Sequence, residues 1–179
     1  LFARYIVNKN KRWKNNPIAA QEETFKLLVE KARKTRFGQD HDFDQIDSYE
    51  TFKEKAPVRD YEGHRPYIDR IIAGVKDVLW PGVPLYLSKT SGTTSGAKYI
   101  PISKESMPTH INAARDALLT YIHETGKADF LLGKQIFLQG NPTLEEKGGI
   151  ALGRLSGIVA HYVPSSSRKY RCSSFSKYF

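Results

Sequence analysis

The 179 residues, 40% hydrophobic and 12% aromatic, suit one globular domain with a core of its own. A formal net charge of +9 raises nucleic acid as a partner, yet the cations gather at Lys9, Lys11, Arg12 and Lys14 and at Arg168, Lys169, Arg171 and Lys177, with mixed charge between and no RNA- or DNA-reading motif, so the reading is no nucleic acid. The single cysteine, Cys172, excludes an intrachain disulfide and a multi-cysteine zinc site and favours a reducing, cytoplasmic compartment, and no run of about 18 apolar residues offers a membrane span.

Leu1 to Val7 is apolar but short and lacks a small-residue cleavage site, which argues against a signal peptide. The chain does not open on methionine, so an upstream segment is expected. Leu1 to Trp13 reads as the tail of a helix, broken at Asn15-Asn16, with Pro17 suited to the first turn of the next. Phe25, Leu28, Val29 and Ala32 recur at i, i+3, i+4 and i+7, one face of a helix expected to stop at Gly38. Asp47 with Glu50 resembles a capping box for a short helix over residues 48–55, ended by Pro57. A further helix is expected from Pro66 to Ala73, with Ile68, Ile71 and Ile72 inward and Gly74 at its stop.

Leu85 to Leu87 and Lys98 to Ile102 are β-prone, and the segment between them is nearly all hydroxyl and glycine. Ser103 can cap a long helix whose apolar face carries Ile111, Ala114, Leu118, Tyr121 and Ile122 and which ends at Gly126. Ile136, Phe137 and Leu138 read as a buried strand before the Gly140-Asn141-Pro142 turn. Helices followed by strand, loop, strand, helix and strand make an α/β fold.

The loop carries the functional signal. Gly92 and Gly96 admit backbone angles closed to other residues, and Thr90, Ser91, Thr93, Thr94 and Ser95 offer hydroxyl donors. Successive backbone N–H groups in such a turn form an anion-binding nest, and Lys98 completes a polyphosphate cradle. Most loops of this composition are linkers or hairpin turns. The run of hydroxyls, the lysine and the strand-like flanks set this one apart. It is not the Walker P-loop: three residues separate Gly92 from Gly96, and Tyr99 follows Lys98.

Other candidates fall to plainer readings. His41, His64, His110, His123 and His161 do not pair at helical spacing, and no metal site is expected. Glu145 and Glu146 read as a loop charge pair. Asp40, Asp42 and Asp44 lack the glycine of a calcium loop, and Ser156 lacks the G-x-S-x-G frame of a hydrolase nucleophile. Trp80, Tyr86, Tyr99 and Phe137 read as core aromatics.

Ser91 to Gly96 with Lys98 resembles the nucleotide phosphate loop of adenylate-forming enzymes, the superfamily of acyl-CoA synthetases and luciferases. Its continuation Tyr99-Ile100-Pro101-Ile102-Ser103 is similar to that of the auxin-conjugating acyl acid amido synthetases (the auxin-responsive promoter family) and their bacterial relatives. The stretches Tyr49 to Lys53, Pro57 to Glu62, Arg65 to Ile68 and Val78 to Gly82 agree with that family. The loop is one residue shorter before the lysine than in many relatives. The resemblance implies the N-terminal part of the large domain of such an enzyme over residues 1–164, a helical region followed by a β-sheet with helices. The serine-rich, basic residues 165–179 depart from the family and are expected to be an aberrant or disordered tail.

The implied function is that of an N-terminal fragment of an ATP-dependent ligase, which activates a carboxylic acid as its acyl adenylate and transfers it to an amine such as an amino acid. ATP and Mg²⁺ are the implied cofactors. Ser91, Gly92, Thr93, Thr94, Ser95 and Gly96 are implied to take the β/γ-phosphates, and Lys98 to neutralise them. The adenine- and ribose-binding motifs and the mobile C-terminal domain have no counterpart here, so the chain alone is expected to be inactive, and no catalytic residue is assigned. A nucleotide- or phosphate-binding module without catalysis stays open beside this reading.

Overall fold

The computed structural model describes residues 1–90, 96–133 and 140–162. Two helices open the chain, α1 (Phe2–Asn15) and α2 (Pro17–Ala32). Asn16 leaves helical geometry, and Pro17 begins α2 where its missing N–H costs nothing. Val29 and Ala32 are buried, with Phe25 packed beside them. Leu28, expected on the same face, is 49% exposed. The layer against this face, a 3₁₀ turn (Phe43–Gln45), α4 (Tyr49–Lys55), Phe37 and Trp80, packs on Val29, Ala32 and Phe25 and leaves Leu28 open.

Gly38 is not the stop of α2. The helix ends at Ala32, and Gly38 is buried inside a second short helix, α3 (Arg36–Asp40). The Thr35 hydroxyl donates to the Ala32 carbonyl (2.6 Å) and accepts from the Gly38 N–H (3.0 Å), which closes the reversal. A Cβ on residue 38 would overlap the Ala32 carbonyl oxygen, so close approach, not a left-handed stop, demands glycine. The capping box of α4 is also shifted. Ser48 is the cap and Thr51 its partner: Thr51 N–H donates to Ser48 Oγ (3.2 Å), and Ser48 N–H to Thr51 Oγ1 (3.1 Å). Asp47 accepts from the Thr51 hydroxyl (3.0 Å), outside the box.

Helix α5 spans Tyr61–Ile72 and starts before the expected Pro66. The Asp60 carboxylate accepts the Gly63 N–H (2.9 Å), a stronger start signal than the proline, which lies inside the helix. At the other end Gly74 has φ +87°. Its N–H reaches Ile71 O (3.0 Å) and the Val75 N–H reaches Arg70 O (3.0 Å), a Schellman stop at the expected glycine.

The sheet runs in the order β2-β1-β4-β3. Strand β1 (Tyr86–Lys89) pairs antiparallel with β2 (Tyr99–Ile102) and parallel with β4 (Ile150–Gly153), which pairs antiparallel with β3 (Glu145–Lys147). Alternation sends Leu87, Ile150 and Leu152 to one face, where Ile68, Ile71 and Val78 bury them. Tyr86 and Ile102 point to the other face, against Met107 and Ile158 of α6 (Met107–Thr125) and α7 (Leu155–Ala160). The sheet is thus a middle layer, as an α/β fold requires.

Glu145 and Glu146 belong to β3, not to a loop. Three residues with no apolar member carry no strand signal; the pairing with β4 creates the strand. Ser103 does not cap α6. Its hydroxyl accepts the Ser106 N–H (3.0 Å) one turn earlier. Helix α6 ends at Gly126 as expected, but Leu118 and Tyr121 on its apolar face are 45% and 48% exposed, because α1 lies over only part of that face. Trp80, Tyr86 and Tyr99 are half-buried against the three apolar clusters. The expected strand at Ile136 to Leu138, with Phe137, and the tail 165–179 lie outside the described residues.

Gly38→Ala is expected to lower stability by about 1–3 kcal/mol, because overpacking against a carbonyl outweighs the gain of about 1 kcal/mol that alanine brings to a helix interior. Urea unfolding checks this: the midpoint should fall, and an unchanged or higher midpoint would mean that the α2–α3 reversal yields without strain.

Candidate phosphate site

The candidate loop joins β1 to β2. Ser91, Gly92, Thr93, Thr94 and Ser95 lie outside the described residues. Its two rims are described. On the entry side the Thr90 N–H donates to the Lys98 carbonyl (3.0 Å), which continues the ladder past Lys89 and Tyr99 and closes the base of the loop. On the exit side Gly96 is exposed at φ +82°, and a Cβ there would meet nothing within 4 Å. The backbone is bare at this point, as a site that receives a bulky anion needs.

Lys98 is half-buried. Its ammonium stands 5.4 Å from the centroid of the Tyr61 ring. The Tyr61 hydroxyl accepts the Tyr99 N–H at 2.9 Å. Tyr99 in turn carries a second ammonium: Lys147 Nζ lies 4.4 Å from its ring centroid and donates to its hydroxyl (3.4 Å). Among the described residues neither lysine forms an ion pair. Both cations are therefore held by the negative faces of aromatic rings, which fix position without cancelling charge. Such an arrangement suits an incoming polyanion.

Sequence reasoning named Gly96 and Lys98 but missed Tyr61 and Lys147 and read Tyr99 as core alone. Tyr61 stood within the Pro57 to Glu62 stretch, yet the helix was expected to begin after it. Lys147 follows two glutamates and shows no motif; only the β3–β4 pairing carries it to Tyr99.

Helix α5, which presents Tyr61, is anchored through Tyr67. The nearly buried Tyr67 donates its phenol proton to Asp40 Oδ2 (3.0 Å), and Arg36 forks onto the same carboxylate at 3.1 and 2.8 Å. Burial, and then the hydrogen bond to Asp40, push the Tyr67 phenol above its ordinary range. Desolvation works to raise the Asp40 carboxyl, but the Tyr67 bond and Arg36 outweigh it and hold the group below its ordinary value. Across the sheet, burial and the Tyr86 hydroxyl 3.0 Å away push Tyr162 up to about 12.

Three of the other candidates make structural contacts. His41 is buried, stacked on Phe37 with ring centroids 4.1 Å apart, and its Nδ1 lies 2.7 Å from Phe37 O. His161 Nε2 lies 2.7 Å from Pro142 O. The Ser156 hydroxyl accepts the Gly140 N–H at 2.8 Å. Among the described residues no group of His, Cys, Asp and Glu could hold a metal, and no helix is long and apolar enough to cross a membrane. A cleft of about 620 Å³ between α2 and α4 and one of about 230 Å³ beside Trp80 include neither Lys98 nor Tyr61.

Residues 7–177 match the GH3 family N-terminal domain. Over 136 residues the chain is 27% identical to jasmonoyl–L-amino acid synthetase JAR4 of Nicotiana attenuata, covering 74% of this chain and 23% of that protein. It is 29% identical to JAR6 of the same plant with the same coverage, and 29% identical to jasmonoyl–L-amino acid synthetase GH3.5 of Oryza sativa subsp. japonica over 73% of this chain and 22% of that one. The chain thus spans about a quarter of the length of these relatives. In structure it superposes on AtGH3.15 acyl acid amido synthetase in complex with 2,4-DB with a TM-score of 0.76 at 20% identity, covering 94% of this chain and 29% of that one. A second GH3.15 acyl acid amido synthetase structure gives 0.70 at 22% identity, covering 86% and 28%. The fold is that of the N-terminal region of those enzymes, as the resemblance implied.

The Asp40 anchor makes a pH prediction. Its carboxyl titrates lower in the folded chain than its ordinary value of 3.8, so the stability it adds is present above about that pH and is lost as pH falls through the folded value. Tyr67→Phe removes the donor and should raise the Asp40 midpoint toward 3.8, read by carboxyl ¹³C NMR titration. An unmoved midpoint would leave Arg36 and Arg70 as the cause.

Proposed function

This chain belongs to the GH3 family, and on that premise we propose that it forms the phosphate-binding N-terminal part of an ATP-dependent acyl acid amido synthetase. A carboxylate oxygen of the acid attacks the α-phosphorus of ATP, the bond to the β-phosphate breaks, and pyrophosphate leaves. An amine, such as that of an amino acid, then attacks the acyl carbon, AMP leaves, and the amine loses its proton. Names such as jasmonoyl–L-amino acid synthetase and acyl acid amido synthetase among the similar proteins support this chemistry. A small carboxylic acid and an amino acid or other amine are the proposed partners, in the cytoplasm.

The first step gathers negative charge on the leaving pyrophosphate, and charge held ready at that point accelerates it. Ser91, Gly92, Thr93, Thr94, Ser95 and Gly96 take the β- and γ-phosphates in this proposal, and Lys98 neutralises them. Mg²⁺ would come with ATP on the phosphate oxygens, hard ligands of the kind it prefers, and would help neutralise the leaving pyrophosphate. One observation carries the reading: the Lys98 ammonium stands at the exit of the hairpin, beside an exposed glycine, and forms no ion pair among the described residues.

In a full-length family enzyme bearing this hairpin, Lys98→Ala should raise KM for ATP by about tenfold or more, the worth of a charge-assisted hydrogen bond, with KM for the acid unchanged. Acid-dependent exchange of labelled pyrophosphate into ATP, with each substrate varied, measures both. An unchanged ATP dependence would return Lys98 to an ordinary surface lysine. ATP binding without exchange in the unsubstituted enzyme would favour a nucleotide-binding module instead.

A further inference from the structure

We propose that Tyr61 is the positioning residue of the phosphate cation: its ring seats the Lys98 ammonium while its hydroxyl fixes the start of β2. The proposal rests on the phosphate reading above and concerns the polyphosphate group of a nucleotide or of an inorganic salt.

The argument begins with the ladder. Thr90 N–H bonds to Lys98 O, so the neighbouring pair, Lys89 and Tyr99, is the non-hydrogen-bonded one. The Tyr99 N–H therefore points away from β1, toward the outer edge of β2. An edge N–H of this kind needs a partner or water. The Tyr61 hydroxyl supplies it at 2.9 Å. The same side chain lies under the preceding residue's ammonium at 5.4 Å. One tyrosine thus reads two successive residues at the loop exit, one through backbone and one through charge.

A lysine side chain has four flexible carbons, and an ammonium in water has no preferred direction. A carboxylate partner would orient it but would also cancel the charge that phosphate needs. An aromatic face orients it and leaves the charge available. The ring itself is placed rigidly. Tyr61 is the first residue of α5, whose start is fixed by the Asp60 cap and whose middle is fixed by Tyr67 on Asp40. Lys147 on the Tyr99 ring repeats the device one residue further along.

The test uses the 179-residue chain at constant ionic strength, titrated with inorganic tripolyphosphate and, in parallel, with Mg-ATP by calorimetry. Tyr61→Leu changes no charge, yet it should weaken tripolyphosphate binding about two- to fivefold. Tyr61→Phe keeps the ring and should stay within about twofold of the unsubstituted chain. In a Lys98→Ala background Tyr61→Leu should have no further effect, which a merely structural role would not produce. Exposed Lys34→Ala controls for net charge. Proton NMR of the Lys98 ε-methylene adds a direct readout, shifted upfield by the ring and retained in Tyr61→Phe. Tyr61→Leu binding as the unsubstituted chain does, an equal loss in both backgrounds, or the absence of the upfield shift in the unsubstituted chain overturns the proposal and leaves the phosphate reading standing. The shift decides the matter even where Tyr61→Leu does not fold. Lys98→Ala no weaker than Lys34→Ala overturns the phosphate reading and this proposal together.

Discussion

Both faces of β1 are covered by helices that lie on opposite sides of it in the chain. Helix α5 precedes it and α7 follows it, and Leu87 between β4, α5 and Val78 has no exposed surface. Burial of one such side chain contributes roughly 1.5–3 kcal/mol. The constraint matters more than that figure. The parallel partner of β1 is β4, which starts at Ile150, so the central pair of the sheet closes only when distant parts of the chain meet. The hairpin with β2 is local by comparison. The chain that runs on from β2 toward β4 provides the crossover that a parallel pair demands, and among the described residues α6 is its long helix.

That crossover also explains where the candidate site stands. The candidate loop leaves the carboxyl end of β1, the end at which open α/β sheets collect ligands. A loop there can change its residues without disturbing the core below it. What the scaffold must supply is a fixed rim. Thr90 to Lys98 gives one side of that rim, and Tyr61 and Tyr99 give the other.

Legibility followed locality. The hairpin strands, the α1–α2 break and the stops at Gly74 and Gly126 are set by residues within a few positions of one another, and all were readable. The short helices were readable only in part. Asp47-Glu50 and Ser48-Thr51 both offer a cap within one four-residue window, and only the fold decides between them. Gly38 looked like a stop because a glycine after a helix usually is one; its true reason is a carbonyl that arrives from the preceding helix. β3, β4 and α7 were not readable at all. Ile150-Ala151-Leu152-Gly153 is four residues long, and its strand state comes from β1, far away in sequence. The site divides in the same way: Lys98 is adjacent to its loop, whereas Tyr61 and Lys147 reach it only through tertiary contact.

Helix α5 is where these threads join. Tyr61, Ile68 and Ile72 recur at i, i+7 and i+11, the period of one helical stripe, and Ile71 flanks it. The stripe faces the sheet. At its deep end isoleucines meet Leu87, Ile150 and Leu152, where only apolar contact is tolerated. At its first residue the stripe emerges at the sheet's rim, and a side chain there must be apolar on one side and polar at the tip. Tyrosine meets both needs: a ring that packs against the cluster and a hydroxyl that serves an edge N–H. Phenylalanine would leave that edge N–H to water, and a polar aliphatic residue would give up the face on which the ammonium sits. The residue that ends the core is thus the residue that begins the candidate site, and the seat of the Lys98 ammonium is fixed by the same packing that holds the sheet together.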